Sequence, residues 1–159
     1  MLKLYKLTGG KKEYWETWER DDASHIVHWG DLGTKGDSKI VKGSFLSKPE
    51  KIIQKEIDKI NADGFRPLEG QFTLMIEYSI DGDFATEDEL NKRNRLMERM
   101  DETLGWTGLG NCEGASNGSG TMELCLYVVD FEIAKETIQL DLKGTEFDDF
   151  TRIYEETAG

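Results

Sequence analysis

Between Phe65 and Gly70 one residue pattern stops and another starts. Before Gly64 the apolar residues Ile53, Ile57 and Ile60 recur at helical spacing; from Gln71 onward Phe72, Leu74, Ile76 and Tyr78 alternate as in a half-buried strand. The charge changes at the same place. Residues 1–69 carry 13 Lys and Arg against 12 Asp and Glu, and residues 70–159 carry 7 against 20, so +1 and −13 give the net charge of −12. A joint break in periodicity and charge predicts two units, 1–68 and 70–159, one near neutral with a lysine-rich stretch and one strongly acidic. Each is near the lower end of the size at which a single core holds a domain together.

The first unit opens with alternating Leu2, Leu4 and the Gly9-Gly10 turn, resumes over Tyr14–Glu19, turns at Asp21-Asp22 and returns through His25–Trp29. A fourth strand is expected over Ser38–Phe45. Short strands separated by turn residues read as an antiparallel meander. Ser47-Lys48-Pro49-Glu50 predicts a capping box opening a helix, and Gly64 its stop. The second unit reads strand (Gln71–Ile80), helix (Thr86 cap, running to Leu104), short strand (Trp106–Cys112), strand (Thr121–Val129), helix (Asp130 cap, to Gly144) and strand (Phe147–Tyr154). Leu90, Met97, Met100 and Leu104 are expected inward on the first of these helices. Gly114–Gly120 is expected to be a flexible connection. The fold class is α+β: a small antiparallel sheet with one helix, then a ferredoxin-like βαββαβ unit with two helices on one face of four strands.

One motif stands out. Trp29-Gly30-Asp31-Leu32-Gly33, followed by Gly36, about ten residues of strand and a helix closing at Gly64-Phe65, resembles the WGR domain of poly(ADP-ribose) polymerases and bacterial regulators. The resemblance spans residues 1–68. It implies a unit in which the motif tryptophan and arginine grip a DNA end and neighbouring domains. Only Trp29 and the glycines carry over, because Asp31 stands where the family has its arginine, an anion in place of a phosphate- or carboxylate-pairing cation. Trp29 therefore has two readings, a contact residue or a core aromatic beside glycines that supply positive φ.

Lys35, Lys39, Lys42, Lys48, Lys51, Lys55 and Lys59 fall within 25 residues, and Lys48, Lys51, Lys55 and Lys59 share a helix face. Such a stripe meets phosphates, docks the acidic second unit, or is the solvated side of an amphipathic helix. Gly108-Leu109-Gly110 imitates a nucleotide fingerprint, but a helix precedes and a strand follows, the reverse of what a dinucleotide site needs. His25 and His28 lie three apart on a strand and point to opposite faces, so they cannot share a metal. Asp81-Gly82-Asp83 lacks the glycine spacing of an EF-hand. The acids fit capping and solvation, and no nucleophile–base pattern appears. No cofactor, metal or catalysis is expected.

Cys112 and Cys125 lack metal-ligand spacing and read as reduced thiols, which suits a cytoplasmic protein. Met1–Gly10 has no long apolar run, so no secretory leader is expected, and no stretch reads as a membrane span. The expected function is a non-enzymatic binding or adaptor protein, an inhibitor being one form of it, whose acidic unit meets a basic protein partner. The alternative is a nucleic-acid binder acting through Trp29 and Lys48, Lys51, Lys55 and Lys59. The net acidity and Asp31 favour the first.

Overall fold

The computed structural model describes residues 1–158 as an α+β fold with two four-stranded antiparallel sheets and three helices. The chain divides into two compact units, Met1–Glu69 and Gly70–Gly159. The division falls where the charge changes.

In the first unit β1 (Leu2–Lys6), β2 (Glu13–Glu19), β3 (His25–Asp31) and β4 (Asp37–Val41) form a meander in sequence order, followed by α1 (Pro49–Ala62). Alternation sets the faces. Leu4 pairs with Trp15 and Trp15 with Trp29, so three apolar residues form a row across the sheet. Thr17 and Val27 make the next row. Leu4, Trp15, Val27 and Val41 meet Ile53 of α1 in the core, with Trp29, Ile57, Ile60 and Phe65 packed against it. Burial on this scale supplies roughly 25 cal/mol per Å² of apolar surface removed from water.

Helix α1 starts differently from expectation. Its N-cap is Lys48, with no side-chain cap hydrogen bond, and Pro49 occupies the first turn. Ser47 is not the cap because Ser44 and Ser47 bridge each other (Ser44 N–H to Ser47 O, 2.8 Å), closing a tight turn that holds Phe45 and Leu46 at its tip. The same turn ends β4 at Val41, short of the expected Phe45. At the other end Gly64 takes φ +99° and the Phe65 N–H reaches the Ile60 carbonyl (3.1 Å), the left-handed stop the glycine permits.

The second unit runs β5 (Phe72–Ser79), α2 (Glu87–Trp106), β6 (Gly110–Gly118), β7 (Thr121–Val128), α3 (Phe131–Leu142) and β8 (Arg152–Glu156), with sheet order β6-β7-β5-β8. Leu74 pairs with Leu126, Ile76 with Leu124 and Tyr78 with Met122, placing all six on one face; Ile153 joins them from β8. Leu96, Met100 and Leu104 of α2 and Ala134, Ile138 and Leu142 of α3 are the buried helix residues. Leu90 and Met97, expected inward, are only half-buried, because the buried stripe runs at spacings of four through Leu96.

Both helix starts in this unit follow expectation. Thr86 accepts from the Glu89 N–H (3.3 Å) while Glu89 accepts from the Thr86 N–H (2.7 Å), and Asp130 accepts from the Ile133 N–H (2.9 Å). The glycine-rich segment does not. Gly110–Gly118 is an ordered edge strand paired along β7 with a bulge between Cys112 and Gly114, not a flexible connection. Small residues read as a loop here because backbone pairing, rather than side-chain burial, holds the strand. Likewise Phe147 is not strand but a buried anchor, its carbonyl accepting from Tyr78 Oη (2.8 Å), and β8 begins only at Arg152.

Candidate functional site

The Trp29-Gly30-Asp31 motif lies at the end of β3, opposite the start of β2. Counting outward from the Asp21-Asp22 turn, the hairpin register sets Glu13 beside Asp31 and Trp15 beside Trp29. Asp37, at the start of β4, pairs with Trp29. These residues, with Lys11, Tyr14, Ile60 and Phe65, line a groove of about 460 Å³. Its walls are aromatic and its rim is acidic.

The glycines bring the loop onto the strand. A side chain at Gly30 would come within 2.7 Å of the Gly36 Cα and 3.2 Å of Tyr14 Oη; one at Gly36, where φ is +58°, would collide with the Trp29 carbonyl oxygen. The loop between them is held from beneath by a buried polar network. His28 Nε2 lies 2.6 Å from the Lys35 carbonyl, which can only accept, so Nε2 carries a proton. His28 Nδ1 lies 2.8 Å from Glu16 Oε1, and one further proton sits between them. Tyr14 Oη donates to the Thr34 carbonyl (2.8 Å) and lies 3.1 Å from His28 Nε2. Tyr14, Glu16 and His28 are all buried, so each depends on these bonds. His28 Nε2 and the Tyr14 hydroxyl thus hold the carbonyls of residues 35 and 34, and with them the rim of the groove, while Glu16 engages His28 Nδ1. His25 lies on the opposite face of β3, as its spacing from His28 requires.

The groove's potential is negative. Glu13, Asp31 and Asp37 face one cation, Lys11, whose ammonium sits 2.9 Å from Asp31 Oδ1 and 3.7 Å from Glu13 Oε1. Hydrogen bonding to Asp31, reinforced by its charge, holds Lys11 above the ordinary lysine range. Burial pushes the Tyr14 hydroxyl well up, and the charges of Glu16, Asp37 and Asp31 push it further. Tyr14 is therefore a neutral hydrogen-bond donor, not a nucleophile.

Trp29 itself joins the two readings the sequence left open. It is half-buried, packs on the core cluster and lines the groove. Lys39 stands over its ring at 5.8 Å while pairing with Glu56 (2.7 Å). Lys48, Lys51, Lys55 and Lys59 lie elsewhere, exposed along α1, and none lines the groove. Lys11, Glu13 and Asp37 were not singled out in the sequence, and Phe65 only as the close of the helix. The hairpin register would have found Glu13; Phe65 needed the packing of α1.

In the acidic unit four of the seven bases form ion pairs at home. Arg99 pairs with Asp141 (2.8 Å), Arg95 with Glu146 (2.7 Å), Lys92 with Asp149 (2.7 Å) and Arg152 with Glu77 (2.8 Å). Asp81, Asp83, Glu87 and Asp88 cluster around the β5–α2 connection, where Phe84 is 74% exposed. The Ala85 N–H bonds Asn117 Oδ1 (3.1 Å), which ties this connection to the β6–β7 hairpin. An exposed apolar pair, Phe45 and Leu46, caps the Ser44–Ser47 turn of the first unit.

Among the described residues no three His, Cys, Asp or Glu side chains gather as metal ligands, and no helix is long and apolar enough to cross a membrane. Both cysteines are free thiols. Comparison with protein-family models, curated proteins and solved structures finds no match.

Proposed function

We propose that this chain is a non-enzymatic binding protein whose acidic second unit recognises a basic protein partner. The observation that carries the reading is Phe84, a large apolar side chain that is 74% exposed in a connection flanked by the exposed Asp81, Asp83, Glu87 and Asp88. Charge complementarity speeds encounter and selects partners, and a desolvated aromatic anchor supplies affinity. Four of the unit's bases, Lys92, Arg95, Arg99 and Arg152, are tied to carboxylates other than these, and Asp81, Asp83, Glu87 and Asp88 are exposed. The sheet order β6-β7-β5-β8 and the strand–helix–strand–strand–helix–strand sequence support a ferredoxin-like unit as the platform. The meander, its single helix and the motif at the end of β3 support a WGR-like first unit.

The test is calorimetric titration of the full chain with the partner it captures from its source cell. Phe84→Ala should weaken binding by about 2 kcal/mol or more, with little change in the association rate followed in parallel by stopped flow. Asp81→Lys with Asp83→Lys should slow association and flatten its salt dependence. Unchanged affinity in both variants would refute the assignment.

Nucleic-acid binding through the first unit is the second reading, favoured by the exposed Lys48, Lys51, Lys55 and Lys59. Asp31 at the motif and the −13 of the second unit oppose it, so full-length protein should bind duplex DNA no tighter than roughly the 10⁻⁴–10⁻⁶ M of nonspecific association. Sub-micromolar affinity at physiological salt would reverse the order of the two readings.

A further inference from the structure

We propose that the groove at Trp29-Gly30-Asp31 is a pocket for a cationic peptide side chain, arginine before lysine. The pocket lies in the first unit and does not depend on the acidic patch around Phe84. Four observations lead there. The groove's volume, about 460 Å³, falls in the range of roughly 300–1,000 Å³ typical of small-ligand sites. Trp15, Trp29, Ile60 and Phe65 offer an apolar and aromatic wall of the kind on which the stem and head of an arginine lie. Three carboxylates, Glu13, Asp31 and Asp37, face one ammonium among the lining residues, an excess of two negative charges there; Lys39, over the Trp29 ring, is paired with Glu56. Lys11 completes the argument, because it already places an ammonium against Asp31 and Glu13 from within the chain.

That internal cation makes the proposal specific. Lys11 is both a demonstration that the carboxylates accept a cation and a competitor for two of them. A guanidinium entering the groove would stack on Trp29 and take Asp37 first, then share or displace Lys11 at Asp31. An anion would meet the wrong sign. The aspartate at the motif's third position thus reverses what the groove selects, and the His28–Glu16–Tyr14 network keeps its rim in place.

The experiment is nuclear magnetic resonance titration of the full chain with N-acetyl-arginine amide, a single cation too small to span two sites. Saturable shifts are expected at the Trp29 indole N–H and the Gly30 and Gly36 amides, with the lysine analogue weaker. Lys11→Met removes the competitor and should tighten binding about two- to fivefold, the size of one exposed ion pair. Asp31→Asn with Asp37→Asn should weaken it about tenfold. These three residues are on the groove's rim, and unchanged spectra elsewhere in residues 1–69 would show that the unit remains folded. Absence of shifts at the Trp29 indole, weaker binding by Lys11→Met, or equal shifts with inorganic phosphate would each overturn the proposal. Shifts confined to the neighbourhood of Phe84 would overturn it too, while leaving the acidic-unit reading intact.

Discussion

Gly36 carries more structural constraint than any charged residue of the motif. Its φ of +58° lies in the left-handed region, and an added side chain would strike the Trp29 carbonyl and approach Tyr14 Oη to 2.6 Å. Gly36→Ala should therefore cost about 1–3 kcal/mol from backbone strain alone. Gly10→Ala, at a turn with open space, should stay within about 0.5 kcal/mol. Thermal unfolding of the two variants side by side measures the difference; equal midpoints would mean that the loop does not close on Trp29. Cys112 gives a second measurement at this scale. Burial, then the charge of Asp101, raises its thiol to about 11, so at pH 8 almost none is thiolate. Alkylation by iodoacetamide followed by mass spectrometry should run much more slowly than for an unstructured cysteine peptide. An equal rate would contradict the burial of the thiol. Glycine spacing made the motif loop legible in advance. The buried His28–Glu16 contact was not, because it depends on which strand residue faces which across β2 and β3.

At the scale of elements, caps with side-chain chemistry were readable and caps without it were not. Thr86 and Glu89 satisfy each other's backbone N–H groups, whereas Ser47 is diverted into the Ser44 turn and leaves Lys48 to begin α1. The Thr86 box makes a pH prediction. Hydrogen bonding from the Thr86 backbone holds the Glu89 carboxyl below its ordinary 4.5. A carboxylate lowered on folding contributes stability above its unfolded value and loses it as pH falls through the lower folded value. Glu89→Gln should thus remove a small acid-dependent part of the unfolding free energy below about pH 4.5, while leaving the remaining pH dependence in place. Parallel acid titrations of wild type and variant would show whether the curves converge as pH falls; curves that stay parallel would deny the box its electrostatic part. Strand β6 shows the opposite limit. Its glycines and polar residues have low strand propensity, and only pairing with β7 and the cover of α2 make it a strand.

At the scale of the whole molecule, each unit has its own core. Leu74, Ile76, Leu124, Leu126, Leu96, Met100 and Ile138 are fully buried in the second, and Leu4, Trp15, Val27 and Ile53 form the centre of the first. A fragment beginning at Gly70 should therefore fold alone and unfold in one cooperative transition, followed by circular dichroism in urea. A broad, non-cooperative melt of that fragment would mean that the acidic unit borrows its stability. The first unit, with one helix over its sheet, should have the lower midpoint.

By itself, the sequence determined the α+β class, most helix and strand positions and the break in charge and periodicity near Glu69. Those follow from periodicity, caps and composition, which are local and additive along the chain. Only tertiary structure decided what the motif is built into. Glu13, Asp31 and Asp37 become one acidic rim, and Trp29 both core and wall, because antiparallel register brings together residues up to 24 positions apart in the chain. Phe84 and Phe45 are ordinary hydrophobic residues in the sequence. Their exposure is a property of the turns that hold them, and no local pattern of polar and apolar residues encodes it.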